Sequence, residues 1–316
     1  MMNTGSQYGR AAWGAALVLI FAASCKSPPA SGQAAPNAKP SAAAKPNPEV
    51  LVLLSGANVV ELKGGRTFHT GYFLNELMVP VKSLIEHGYA PVFATPNGQL
   101  PVMDPHSDSA TFFASPTEYQ AARQLQGSLA GLKHVERLND LSAERLAPFV
   151  GVFVPGGHAA MGDLATDAEV GRVLRYFHEQ HRPTGLICHG PAALLSTVHA
   201  PSAFASALAD NRASDAAQAA QGFAYAGYRV TVFSKAEEKQ VEEGGGGAFL
   251  GGFVKFYVDD ALRSAGASVE TGEPWKSHVV RDRELITAQQ PGSDAEFTRS
   301  FMQALSEPTP APIKTN

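Results

Sequence analysis

Only two cysteines occur in 316 residues, Cys25 and Cys188. They are too few for a disulfide framework, and they sit in such different sequence that pairing between them is not expected. Basic runs are missing as well. Arg10 and three Lys are the only charged side chains in residues 1–48, so beyond that point 21 basic groups face 29 acidic ones. That balance, with no cluster of Lys or Arg, makes a poor nucleic-acid binder, so no nucleic acid is expected as a partner. No Gly-x-Gly-x-x-Gly or phosphate loop follows any apolar run, which removes the commonest nucleotide cradles. The glycine run at 244–247 has no strand before it and reads as a flexible loop. The 30 Gly and 22 Pro follow no period, so collagen-like and wholly disordered readings fail. What is present is 44% apolar residues, enough for a sizeable core in one large or two small domains.

The amino terminus reads as an address. Residues 11–24 are uncharged and centred on Leu17-Val-Leu-Ile-Phe21. This stretch is short of the roughly 20 residues that span a bilayer, and suits the apolar region of a secretory signal. It ends in Ala22-Ala-Ser-Cys25, which resembles the lipobox of bacterial lipoproteins, with Ala22 where Leu is usual. Residues 1–24 are therefore expected to be a signal peptide and Cys25 the lipidated residue. The anchor would hold the protein at a bacterial membrane with its domain facing the periplasm or exterior. Lys26 after the Cys resembles the class sorted to the outer membrane. Residues 26–48 hold six Pro, seven Ala and no Val, Ile, Leu, Met or aromatic side chain, so 25–48 reads as a tether. Residues 307–316 read as a flexible tail, leaving 49–306 as the folded unit.

Within that unit short apolar runs alternate with helical patterns. Val50-Leu-Val-Leu-Leu54 and the runs at 90–94, 151–154, 185–188 and 228–233 read as strands buried on both faces. Val170, Val173, Leu174 and Phe177 share one face of a helix over 168–181. Apolar residues repeat likewise across 71–87, where Pro80 must kink or start the helix. Strand, helix, strand at these intervals implies right-handed crossovers and an α/β fold, a mostly parallel sheet between two helical layers. Its site would lie at the carboxyl ends of the strands.

Two of those ends carry chemistry. In Gly185-Leu-Ile-Cys-His-Gly-Pro-Ala-Ala-Leu194 an apolar strand ends on Cys188 and a helix opens just beyond, with Pro191 in its first turn. A thiol on such an elbow sits over a helix amino terminus, so a pKa below the free value of about 8.5 is expected. A buried structural Cys is the alternative. In Phe153-Val-Pro-Gly-Gly-His158 the successive glycines Gly156 and Gly157 let the backbone approach a ligand and offer amides as an oxyanion hole does. Nothing in the pattern gives His158 a part in the chemistry.

Together these segments resemble the ThiJ/PfpI superfamily, specifically its glyoxalase III-like and heat-shock-chaperone branch. Further matching pieces are Asn75-Glu-Leu-Met-Val-Pro80, Asp104-Pro105, Val230-Thr-Val-Phe-Ser-Lys-Ala-Glu-Glu238 and the stretch from His278 to Pro291. The resemblance runs from about 50 to 305. It implies a flavodoxin-like α/β/α sandwich with a cysteine nucleophile elbow, and homodimers are common in the family. By position it makes Cys188 the nucleophile, His189 its neighbouring imidazole, Glu76 a carboxyl group beside the thiol and Glu238 the third acid. Chaperone-type members have Asp where Lys235 stands, and the family's Thr-Gly-Gln-Asn-Pro is altered to Thr287-Ala-Gln-Gln-Pro291.

The function so implied is a glutathione-independent glyoxalase that turns methylglyoxal and related small aldehydes into hydroxy acids. Cys188 would form a hemithioacetal, and Glu76 with His189 would move a proton between the two carbons. That route needs no metal or other cofactor, and no zinc-spaced Cys or His cluster is seen. The alternatives are a periplasmic holdase, a cysteine redox sensor or a weak cysteine peptidase. No His-x-Glu pair follows the Cys, which disfavours a glutaminase.

Overall fold

The computed structural model describes residues 46–242 and 249–308. The signal segment, Cys25, nearly all of the tether, the 244–247 glycine run and most of the tail lie outside the described residues.

A seven-stranded sheet forms the centre, in the order Val279–Asp282, Leu285–Ala288, Thr184–Ile187, Phe149–Val154, Glu49–Leu53, Ala90–Thr95, Glu136–Arg137. Every neighbouring pair is parallel except the hairpin Val279–Asp282 with Leu285–Ala288. This is the mostly parallel α/β architecture that the alternating pattern implies.

The two-residue period of a strand explains how one apolar run feeds two cores. From the central strand, Val50, Val52 and Leu54 pack with Leu74, Leu77, Val81, Phe297 and Phe301. Those partners belong to the helices Leu74–Glu86 and Asp294–Ser306. Leu51 and Leu53 point the other way, to Val170, Val173, Leu174 and Phe177 of the helix Ala168–Glu179 and to Leu194. The whole set is shielded from solvent. Asp167 caps that last helix by accepting from the amides of Glu169 and Val170. Pro80 lies within the helix Leu74–Glu86 without ending it.

One expected strand is corrected. Of the run 228–233 only Arg229–Val230 is a strand, and it pairs in parallel with Ser268–Val269 outside the central sheet. Beyond it the chain is held by single bonds instead. Thr231 donates its amide to Thr287 Oγ1 at 2.8 Å, and Phe233 donates to the Cys188 carbonyl at 2.9 Å. That detour carries the chain past Cys188 and into the helix Lys235–Val241.

Candidate active site

The strand Thr184–Ile187 ends at a turn in which Cys188 adopts φ 59°, a left-handed conformation that non-glycine residues avoid. Holding it there costs about 1–3 kcal/mol. The elbow is fixed by the Cys188 amide donating to the Ala288 carbonyl at 2.9 Å and by the bond from Phe233. The eight residues Gly190–Thr197 that follow form a 3-10 helix with Pro191 in its first turn.

Glu76 reaches the same point from the first turn of the helix Leu74–Glu86 and is completely buried. Its Oε2 accepts from the Gly156 amide at 3.1 Å, while Oε1 is buried with no hydrogen-bond partner. Gly156 is what allows thiol and carboxyl to meet. A Cβ placed there would lie 2.5 Å from both Cys188 Cβ and Glu76 Oε2. Gly157 has φ 100°, and a Cβ on it would meet the Gly71 carbonyl oxygen at 2.0 Å. The two glycines therefore divide their work. The Gly156 amide is taken by Glu76, whereas the amides of Gly157 and His189 are directed at the Cys188 sulfur.

On the other side His189 Nδ1 lies 3.4 Å from Cys188 Sγ, and His189 Nε2 is 2.7 Å from Glu238 Oε2. Glu238 projects from the helix Lys235–Val241, whose start is fixed by a capping box between Ser234 and Glu237. Its other oxygen, Oε1, is 2.8 Å from His158 Nε2, and the two imidazoles lie 4.0 Å apart. His158, which sequence reasoning leaves out, is thus part of the cluster. The signal for it was present, a His directly after Gly156-Gly157. A lone His does not announce a partner 80 residues downstream. Lys235 turns away, bonding Asp260 at 2.6 Å with its ammonium over the Tyr257 ring.

The electrostatics follow from burial. Glu76 is pushed up to about 8, chiefly because its ionised form is desolvated; the Cys188 and Gly156 contacts oppose this. Burial also pushes the Cys188 thiol well up, the Glu76 carboxylate adds to that, and the Gly157 and His189 amides pull only weakly against it. The expectation of a lowered thiol pKa is therefore corrected. A short 3-10 turn supplies little dipole, and burial first, then the carboxyl beside the sulfur, outweigh it. Burial would raise Glu238 too, but the two imidazoles hold it well below the usual carboxylate range. His158 is pushed down by burial and raised more by Glu238. His189 is lowered by burial and by His158. The ionised Glu238 must accept from His189 Nε2–H, which leaves Nδ1 as an acceptor facing the thiol.

Among the described residues, His158, His189 and Glu238 form a group whose ligand atoms converge within 4.8 Å of one another. The two histidines lie 80 and 49 positions before Glu238 in sequence, so no metal-ligand spacing rule could reveal the group. A cation could bind them only by displacing the protons that join them. The elbow opens on a cavity of about 420 Å³, lined by Cys188, His158 and His189 and walled by Phe73, Phe112, Phe233 and Trp275.

A parallel sheet with a strained cysteine elbow, a carboxyl group on one side and an imidazole pair on the other, defines a class of cysteine-centred α/β proteins. The chain belongs to the DJ-1/PfpI family, whose description matches residues 69–208. It is 30% identical over 255 residues to the protein/nucleic acid deglycase HchA of Staphylococcus aureus strain Newman, covering 79% of this chain and 77% of that one. The structure of the Rapid Encystment Protein 24 KDa of Francisella tularensis aligns with 82% of this chain and 99% of its own, at TM-score 0.61 and 25% identity. Glyoxalase III of Candida albicans aligns over 81% and 96%, also at TM-score 0.61; at 19% identity that likeness bears on the fold alone.

Proposed function

We propose that the protein is a cofactor-independent enzyme that converts 2-oxoaldehydes into 2-hydroxy acids through a covalent adduct on Cys188. The observation that carries this reading is the placement of one buried sulfur between Glu76 and the His189–Glu238 pair. As the S–C bond forms at the aldehyde carbon, the thiol proton passes by way of His189 Nδ1 to the aldehyde oxygen, giving a hemithioacetal. Glu76 in its ionised form then takes the hydrogen from that carbon and returns a proton to the neighbouring ketone carbon. The ketone oxygen gains the proton that the adduct's hydroxyl gives up, and the first carbon becomes a thioester carbonyl. Water cleaves the thioester, releasing the hydroxy acid and restoring the thiol, with no net oxidation. A group that must gain and lose a proton near neutral pH is served by a carboxyl raised to about 8. Its partnerless Oε1 faces no competing protein donor.

The relative named as a deglycase supports a second substrate form, the same aldehyde carbon still carried on an amine. Attack by Cys188 on that carbon would form the S–C bond as the C–N bond breaks, the thiol proton leaving with the amine, and give the same hemithioacetal. The test is purified protein with methylglyoxal: lactate should form without glutathione or added metal, and not with Cys188→Ser. Suppressed aggregation of a client protein with no lactate would turn the reading to a holdase; thiol oxidation alone would turn it to a sensor.

A further inference from the structure

We infer that the preferred substrates are neutral 2-oxoaldehydes whose ketone carries an aryl or similarly flat apolar group, rather than methylglyoxal itself. This rests on the reaction proposed above and adds the substrate class. A cavity of about 420 Å³ lies in the range that holds drug-sized ligands. Methylglyoxal occupies only a few times the roughly 30 Å³ of a water molecule, so most of the space would stay wet around it.

The walls say what should fill that space. Phe73 and Phe112 meet edge to face at 4.8 Å, and Phe233 and Trp275 do so at 5.7 Å. Both pairs line the cavity that Cys188 enters. Phe233 also lies 4.7 Å from the His189 ring, so the cavity beside the thiol is walled by aromatic rings, which favour a flat, polarisable group. No Lys or Arg is among the described residues of the lining, and the charge of His158 is neutralised by Glu238. Asp104 in the lining is already partnered by His106 Nδ1 at 3.1 Å and by the Thr70 hydroxyl, so a substituent carrying phosphate or carboxylate would meet a carboxylate there and no Lys or Arg to pair with.

Trp275 provides an independent observation. It is 46% exposed at the mouth of the cavity, yet it holds φ 63°, which is strained for a large side chain. Two bonds keep it there. Its amide donates to Glu237 Oε1 at 2.8 Å, and its indole N–H donates to Gln240 Oε1 at 2.7 Å. Glu237 is itself buried, accepting also from Ser234 and Gln289. An exposed indole pinned in an unfavourable backbone conformation against Phe233 is the geometry of a ring-binding wall.

With phenylglyoxal the aldehyde hydrogen is replaced by the Cys188 sulfur and then by water oxygen, the ketone carbon gains hydrogen, and mandelate leaves. The experiment measures kcat/KM for phenylglyoxal and methylglyoxal with the full-length protein. Burying a phenyl ring in place of a methyl group is worth on the order of tenfold or more, so phenylglyoxal should lead by at least about tenfold. Phe112→Ala and Trp275→Ala should each lower that ratio at least about fivefold, and Trp275→Phe should largely keep it. Equal or better use of methylglyoxal by the wild type would overturn the inference. Turnover of neither aldehyde would instead defeat the reaction. Alkylation of Cys188, followed on its own peptide, would then judge the pocket. Protection by acetophenone but not acetone supports the aryl site; protection by neither removes it.

Discussion

At the scale of single residues, the site is a competition between burial and partners. Cys188 and Glu76 both resist ionisation because they are dry and adjacent, whereas Glu238 stays charged because two imidazoles share it. The rate of Cys188 alkylation by iodoacetamide should therefore have its midpoint above the free-thiol value of about 8.5; a midpoint below it would restore the thiolate picture drawn from the sequence. Glu76 also ties stability to pH. Its folded value, about 8, exceeds the ordinary 4.5, so the folded state holds its proton more tightly. The resulting stability is fully present below about 4.5 and is lost as pH rises through 8, by on the order of 5 kcal/mol at most. Glu76→Gln cannot ionise, so its melting temperature should fall less between pH 5 and 9 than that of the wild type. Parallel curves for the two proteins would mean that Glu76 is not the buried proton holder.

At the scale of elements, three short segments make the site, and they were unequally legible. The elbow was plain, since an apolar strand running into Cys188 and a Pro-led turn admits few geometries. The glycine pair was visible as a close approach, but not that Gly156 would serve Glu76 while Gly157 serves the sulfur. His158 and the departure of 228–233 from the sheet were hidden, because both depend on contacts distant in sequence that leave no periodic mark. Gly156→Ala tests the packing of these elements directly. Its Cβ would press on Cys188 and Glu76 at once, so a loss of about 1–3 kcal/mol in urea unfolding is expected, together with loss of turnover. Unchanged stability would mean that the turn can open without cost.

At the scale of the whole molecule, the two-sided core and the parallel sheet follow from alternation within one strand, which is why the fold class could be read from the sequence. The address at the amino terminus is a separate proposal. Labelled palmitate should enter the full-length protein expressed in a bacterial host and be absent from Cys25→Ser, while equal labelling of both would end the lipoprotein reading. What joins sequence, fold and site is the claim that a buried carboxyl group moves a carbon-bound proton beside the sulfur. Gln at position 76 matches Glu in size but cannot accept and return that proton. The most direct measurement is therefore methylglyoxal turnover by Glu76→Gln, with Cys188 alkylation followed in parallel. The expected result is a folded protein whose Cys188 still alkylates and whose turnover falls at least about 10²-fold, the usual contribution of a general base. Turnover within a few-fold of wild type would contradict it.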